Sequence, residues 1–252
     1  MEPPHTTDPA ARLIAILQAG LQAQPGDTYL RFWAVAFNVD ANNPVDIYYH
    51  LGLLRQLVDD VENAIKQVPH IRRPDQYLKP LAQLRTTIAQ PNLQTQWHHQ
   101  RELLTMIVNS LEFASERLQE YSPEPDLPPS ELENIRKQTS DLIEKLHSST
   151  TIPKRLKLIL FDLLNAVQRS IDQYRFRGVR GLRQELFVIV SRVQEHFPDF
   201  EQAKDEPEVK GFFGLLKKID ATTAAALHVK ELIAAVAPLL PAITTVVHHL
   251  LH

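Results

Sequence analysis

The chain has 252 residues, 44% of them hydrophobic and 23% charged, with only 7 glycines, a composition that suits a folded helical protein better than a loop-rich β architecture. A net charge of -3 and a pI near 6.4 give no global field for polyanions, which disfavours nucleic acid as a partner. The absence of cysteine excludes disulfides, thiolate nucleophiles and Cys-ligated metal sites, and it is consistent with a reducing cytoplasm.

Residues 1–7 read as a loose leader. MEPPHTTDPA has no basic region followed by an apolar core and is not read as a secretory signal. Asp8 as N-cap and Pro9 at the first helical position open a helix through Leu13, Ile16 and Leu17, ended by Pro25-Gly26. Asp27 is expected to cap a second helix, TYLRFWAVAFNV, too apolar to leave in water, although its β-branched and aromatic content also permits a strand. Pro44 begins a longer helix in which Ile47, Leu51, Leu54, Val58, Val61 and Ile65 recur at helical spacing, stopped by Pro69. A shorter helix is expected over Asp75–Ala89, and a long one from about Leu93 to Tyr121.

SPEPDLPPS, residues 122–130, holds four prolines and reads as a linker between two halves of a bundle, with Ser130 and Glu133 expected as a capping box for the next helix. Helices are then expected from Ser130 to about His147, from Pro153 to Tyr174, and, after Gly178 and Gly181, from Leu182 to Phe197. The sequence thus predicts an all-α fold: a multi-helix bundle over residues 8–197, an acidic linker or short surface helix over 198–208, and a C-terminal amphipathic and hydrophobic tail over 209–252.

That tail carries the strongest functional signal. Phe212, Phe213, Leu215, Leu216 and Ile219 share one helical face beside Lys210, Lys217 and Lys218, the chemistry of a helix lying among lipid headgroups. Between Leu232 and His252 there is no Asp, Glu, Lys or Arg, and the run containing Leu232, Ile233, Val236, Leu239, Leu240, Ile243, Val246 and Val247 is apolar all round. Its length just reaches that of a bilayer span, while Pro238, Pro241 and the histidines weaken it. Either a membrane or a protein core would accept it.

A second feature is the stretch from Gln173 to Arg183, in which Arg175, Arg177, Arg180 and Arg183 occur with two aromatics and no acid. Forked guanidinium donors, glycines and a helix start can bind a phosphate. The bland alternative is an interhelical turn whose arginines reach acids such as Asp172 and Glu185 or carbonyls that end a helix. At Tyr174-Arg175-Phe176-Arg177-Gly178-Val179-Arg180-Gly181-Leu182-Arg183 the chain resembles bacterial all-helical proteins that share a Tyr-Arg-x-Arg-Gly-x-x-Gly-Leu-Arg turn. The resemblance covers about residues 153–197 and implies no particular activity.

Catalytic chemistry has little support. His98 or His99 with Glu102 supplies at most two ligands of a metal site, and no HExxH motif, GxSxG elbow or phosphate-binding loop occurs. His248, His249 and His252 read as the point where an apolar segment meets water. The Arg–His spacing of HEPN-type toxin RNases is also missing, Arg192 and His196 coming nearest.

The sequence therefore points to a non-enzymatic protein without a metal or other cofactor. Its expected partners are membrane lipid and a protein partner or further copies of itself. Its expected location is the cytoplasm, with conditional or peripheral association with the inner membrane. The architecture resembles that of bacterial conflict and cell-death effectors, some of them antiviral, in which a helical module carries a membrane-active segment. Two other readings stand beside this one: a soluble adaptor with the tail in its core, and a binder of anion, nucleotide or RNA at the arginine turn.

Overall fold

A computed structural model describes residues 6–69, 71, 73–89 and 92–224. The chain is all-α. Extended pairing among the described residues is confined to Thr6–Thr7 with the short strand that begins at Glu124 and to one bridge between Thr28 and Gln96. The chain divides into two units: residues 1–124 with 175–178, and residues 125–174 with 179–252. The division at 124/125 falls inside the proline-rich segment.

In the first unit, α1 (Pro9–Gly20) starts at Asp8, whose carboxylate accepts from the amides of Ala10 and Ala11 at 2.8 and 3.0 Å. Its other oxygen accepts from Ser115 Oγ at 2.6 Å and Gln119 Nε2 at 3.2 Å, so the cap also ties α1 to α5 (Arg101–Tyr121). The second helix, α2 (Tyr29–Phe37), is capped by Thr28. Asp27, expected in that role, instead closes the preceding turn by accepting from the Gln24 amide at 2.9 Å. Tyr29, Phe32, Trp33 and Phe37 pack in an aromatic chain with Trp97, and Phe32 and Trp33 are fully buried. Gly20 lets α1 approach that chain, since a Cβ there would stand 2.5 Å from the Phe32 ring.

Pro44 opens α3 (Pro44–Gln67), and α4 (Asp75–Ala89) follows. The helix expected from Leu93 begins only at Trp97, as a single 3₁₀ turn before α5. Residues 93–95 instead form a turn, in which the Thr95 amide donates to the Asn92 carbonyl at 3.2 Å, and their carbonyls serve the start of α2: Leu93 accepts from the amide of Leu30, and Thr95 from that of Tyr29. Trp97 closes the arrangement by donating its indole N–H to the Gln24 carbonyl at 2.6 Å.

In the second unit, α6 (Pro129–Ser148) has no side-chain cap. The expected Ser130–Glu133 box does not form: Pro128 and Pro129, with φ already near the helical value, start the helix ahead of Ser130. α7 is Lys154–Asp172, and α8 is Tyr174–Glu195, broken at Gly178, where φ is +57°. The four residues 175–178 belong to the first unit.

Folding does not stop at Pro198. The short α9 (Phe197–Gln202) buries Phe200, and α10 (Pro207–Ala224) buries Val209, Phe212, Leu215, Leu216 and Ile219 in the second unit's core. α9 and α10 thus pack in the second unit's core, across the boundary expected between a bundle ending at 197 and a tail starting at 209. The acidic content of 199–208 conceals two buried apolar positions, Phe200 and Ala203, too few to reveal a periodicity.

Candidate functional site: the arginine turn and the C-terminal helix

The arginine turn is built around an arginine that lies outside it. Arg12 of α1 is 9% exposed and pairs with Glu124 at 2.6 Å. Its Nε donates to the Phe176 carbonyl at 3.4 Å. Gly178 packs on the same guanidinium: a Cβ there would meet Nη1 at 2.5 Å and Cζ at 2.8 Å. Phe176 is buried beside Phe37 and His50, with ring centroids 5.8 and 5.6 Å away. The segment 175–178 is thus a structural part of the first unit. It accepts a buried cation through a backbone carbonyl and a missing side chain.

The four arginines of the turn have separate fates. Arg175 donates from both terminal nitrogens, to the carbonyls of Phe37 and Ala36 at 3.1 Å each. Those carbonyls end α2, where Asn38 turns the chain in the left-handed region, and a cation at that end also meets the negative pole of the helix dipole. Arg183, in the second unit, donates to the Thr223 carbonyl at the end of α10. Arg177 and Arg180 are engaged as well. Arg175 and Arg177 belong to the first unit, Arg180 and Arg183 to the second.

α10 carries the membrane-contact residues that fall within the described chain. Phe212 is 1% exposed, Leu215 2% and Leu216 7%, while Phe213 is half-buried against Phe200. Gly211 allows close contact with α6, a Cβ there standing 2.7 Å from a methyl of Leu142. Lys218 approaches Glu131 of α6 at 3.9 Å, and Lys217 faces solvent. This arrangement differs from a helix lying on lipid. The same 3.6-residue apolar stripe fits a bundle groove, and here the groove is filled. Burial of Phe212, Leu215, Leu216 and Ile219 is worth roughly 1.5–3 kcal/mol for each side chain, so α10 is not a freely detachable element. Leu232, Ile233, Val236, Leu239, Leu240, Ile243, Val246 and Val247, together with the histidines near the C-terminus, lie outside the described residues. Among the described residues no helix is long and apolar enough to cross a membrane.

Two further features were not legible in the sequence. Asp220, half-buried in α10, has its carboxyl pushed above the ordinary aspartate value by burial, with Arg183 pulling the other way. A depression of about 480 Å³ in the first unit is lined by Tyr29, Gln83, Thr86, Thr87, Asn92, Thr95, Gln100 and Leu103. The hydroxyls of Thr86 and Thr95 are turned back onto the carbonyls of Ala82 and Asn92, which leaves amides as its main donors. The rings of His98 and His99 lie 4.1 Å apart in a tilted arrangement, and no group of three or more His, Cys, Asp or Glu that could hold a metal is found among the described residues.

Exposed apolar side chains occur in both units: Val45, Tyr48, Met106 and Phe113 in the first, Leu158, Phe187 and Val188 in the second. No family model, curated protein or solved structure matches this chain.

Proposed function

We propose that this is a non-enzymatic helical protein that acts through its C-terminal segment, with the two helical units holding and regulating a tail that associates with a membrane. The observation that carries this reading is the continuity between a packed helix and an uncharged segment. α10 is fixed in the second unit by its buried face, and the chain then runs into a stretch without Asp, Glu, Lys or Arg from Leu232 to His252. In this reading α10 is the anchor, not the lipid-facing element, and the lipid-contacting residues are Leu232, Ile233, Val236, Leu239, Leu240, Ile243, Val246 and Val247. The location that follows is cytoplasmic with conditional membrane association, as in a defence or cell-death effector.

Sedimentation with anionic phospholipid vesicles tests it. The full chain is expected to co-sediment and to release an entrapped dye, and Val236→Glu to abolish both without changing the helical circular dichroism. Co-sedimentation that survives Val236→Glu, or a full chain that stays in the supernatant, would sink the proposal.

A second reading, a soluble adaptor, is favoured by the burial of Phe212, Leu215 and Leu216, which shows that this C-terminal region already uses part of its apolar surface within the protein. Its outcome in the same experiment is a full chain that remains soluble and whose unfolding midpoint falls when residues 225–252 are removed. The arginine turn as an anion site ranks third, since Arg175 and Arg183 donate to backbone carbonyls.

A further inference from the structure

We propose that the uncharged segment Leu232–Val247 of this same chain docks, in its withheld state, along one side of α8, on a seam formed by Arg183, Phe187, Val190 and Gln194. The inference rests on the membrane reading above and gives it a regulated resting state.

After the break at Gly178, α8 faces the second unit's core with Leu182, Ile189 and Val193. Arg183, Phe187, Val190 and Gln194 follow one another at intervals of four, three and four residues, so they form a continuous stripe beside that core-facing side. This is the spacing on which a second helix seats its side chains. The stripe is only partly covered. Phe187 is 49% exposed, Val190 is half-buried, and Val188, further round, is 48% exposed. Gln194 has its amide nitrogen buried with no hydrogen-bond partner among the described residues. A buried amide left without a partner is costly.

The occupant is identified by where α10 ends. Arg183, the first member of the stripe, donates to the carbonyl of Thr223, so the last turn of α10 stands at the N-terminal end of the seam. The next residues of the chain start there. The seam spans about 17 Å, the rise of eleven helical residues, and Leu232–Val247 in helical form would cover about 24 Å. Residues 225–231 reach roughly 23 Å when extended, enough to bring the segment to either end of the seam.

The chemistry matches as well. Leu232–Val247 would bury no charge against Phe187 and Val190.

The cysteine-free chain allows a direct test. In the full-length protein, Phe187→Cys or Val190→Cys is combined in turn with Val236→Cys, Leu239→Cys or Ile243→Cys, and disulfide formation under mild oxidation is followed by peptide mass. The control pairs the same tail cysteines with Phe113→Cys, exposed on α5 of the first unit. At least one seam pair is expected to close within a single chain, about tenfold or more faster than the control and independently of protein concentration. Closure no faster than the control for every pair, or bonds formed only between two copies, would overturn the proposal.

Phe187→Glu, at an exposed position, supplies the second arm. It is expected to lower closure from Val190→Cys several-fold, and an unchanged rate also counts against docking. No lipid enters either measurement. Failure of vesicle binding with intact cross-linking would defeat the membrane reading alone, and vesicle binding without cross-linking would defeat the docking seam alone.

Discussion

Gly178, at φ +57°, lies against the guanidinium of Arg12, so close that a Cβ at this position would stand 2.5 Å from Nη1. Two independent constraints meet at one residue. The left-handed backbone disfavours any side chain, and the space a side chain would need holds a buried cation paired with Glu124. Gly178→Ala is expected to destabilise the first unit by about 2–4 kcal/mol in urea titration. Arg12→Leu relieves the collision but leaves Glu124 buried without its cation, so the double variant should cost less than the two single losses together. Simple additivity would show that the two residues do not share a constraint.

Asp8 joins a helix cap to a tertiary contact, accepting from two amides of its own helix and from Ser115 and Gln119 of α5. Asp8→Ala should cost about 2–3 kcal/mol, more than the ~1 kcal/mol of an isolated N-cap, because Ser115 Oγ also loses its acceptor. Asp8→Asn should cost less. Equal losses from Asp8→Ala and Ser115→Ala would indicate that the cap itself contributes nothing.

Glu62 is held below the usual carboxylate range by hydrogen bonds from Lys66 and Arg85, and Arg85 also reaches Asp59, all three bonds lying at 2.5–2.6 Å. A depressed carboxylate contributes stability that is present above its unfolded value near 4.5 and is lost as the pH falls through the lower folded value. Arg85→Met is therefore expected to cost ~0.5–1 kcal/mol at neutral pH and to flatten the stability profile below pH 4.5, as followed by thermal melts at stepped pH. A profile unchanged by the substitution would assign the acid sensitivity elsewhere.

Asp220 has the opposite sign. Burial raises its pKa, so the folded second unit holds this proton more tightly than the unfolded chain does. Stability should rise as the pH falls from above the raised value toward the ordinary 3.8, and Asp220→Asn should raise the unfolding midpoint at pH 7 and remove that rise. Through this one group, acidification is expected to strengthen the packing of α10. Acid-induced loosening of α10, read by amide exchange, would contradict this.

How far the sequence could be read differs from helix to helix, and for a consistent reason. Asp8-Pro9 and Pro44 mark helix starts because proline at the first turn and a capping carboxylate are local chemistry, and α4 runs from Asp75 to Ala89 as its periodicity requires. Local rules failed where a distant partner claimed the backbone. Residues 93–95 stay out of the helix in a turn whose carbonyls serve Tyr29 and Leu30, and Asp27 leaves its expected cap for the Gln24 amide. Arg12, Glu124 and Gly178 could not be connected in advance, since Arg12 and Glu124 are 112 residues apart in the chain.

The sequence by itself determined the all-α class, the positions of most helices and the uncharged character of residues 232–252, because propensity, proline placement and hydrophobic period are properties of short segments. Tertiary structure alone decided what the amphipathic stripe of α10 faces and what the arginines of the turn hold. An apolar face specifies only that it will be covered, and a guanidinium only that it will find acceptors. In this fold α6 and the second unit's core cover the first, and the carbonyls ending α2 and α10 satisfy Arg175 and Arg183.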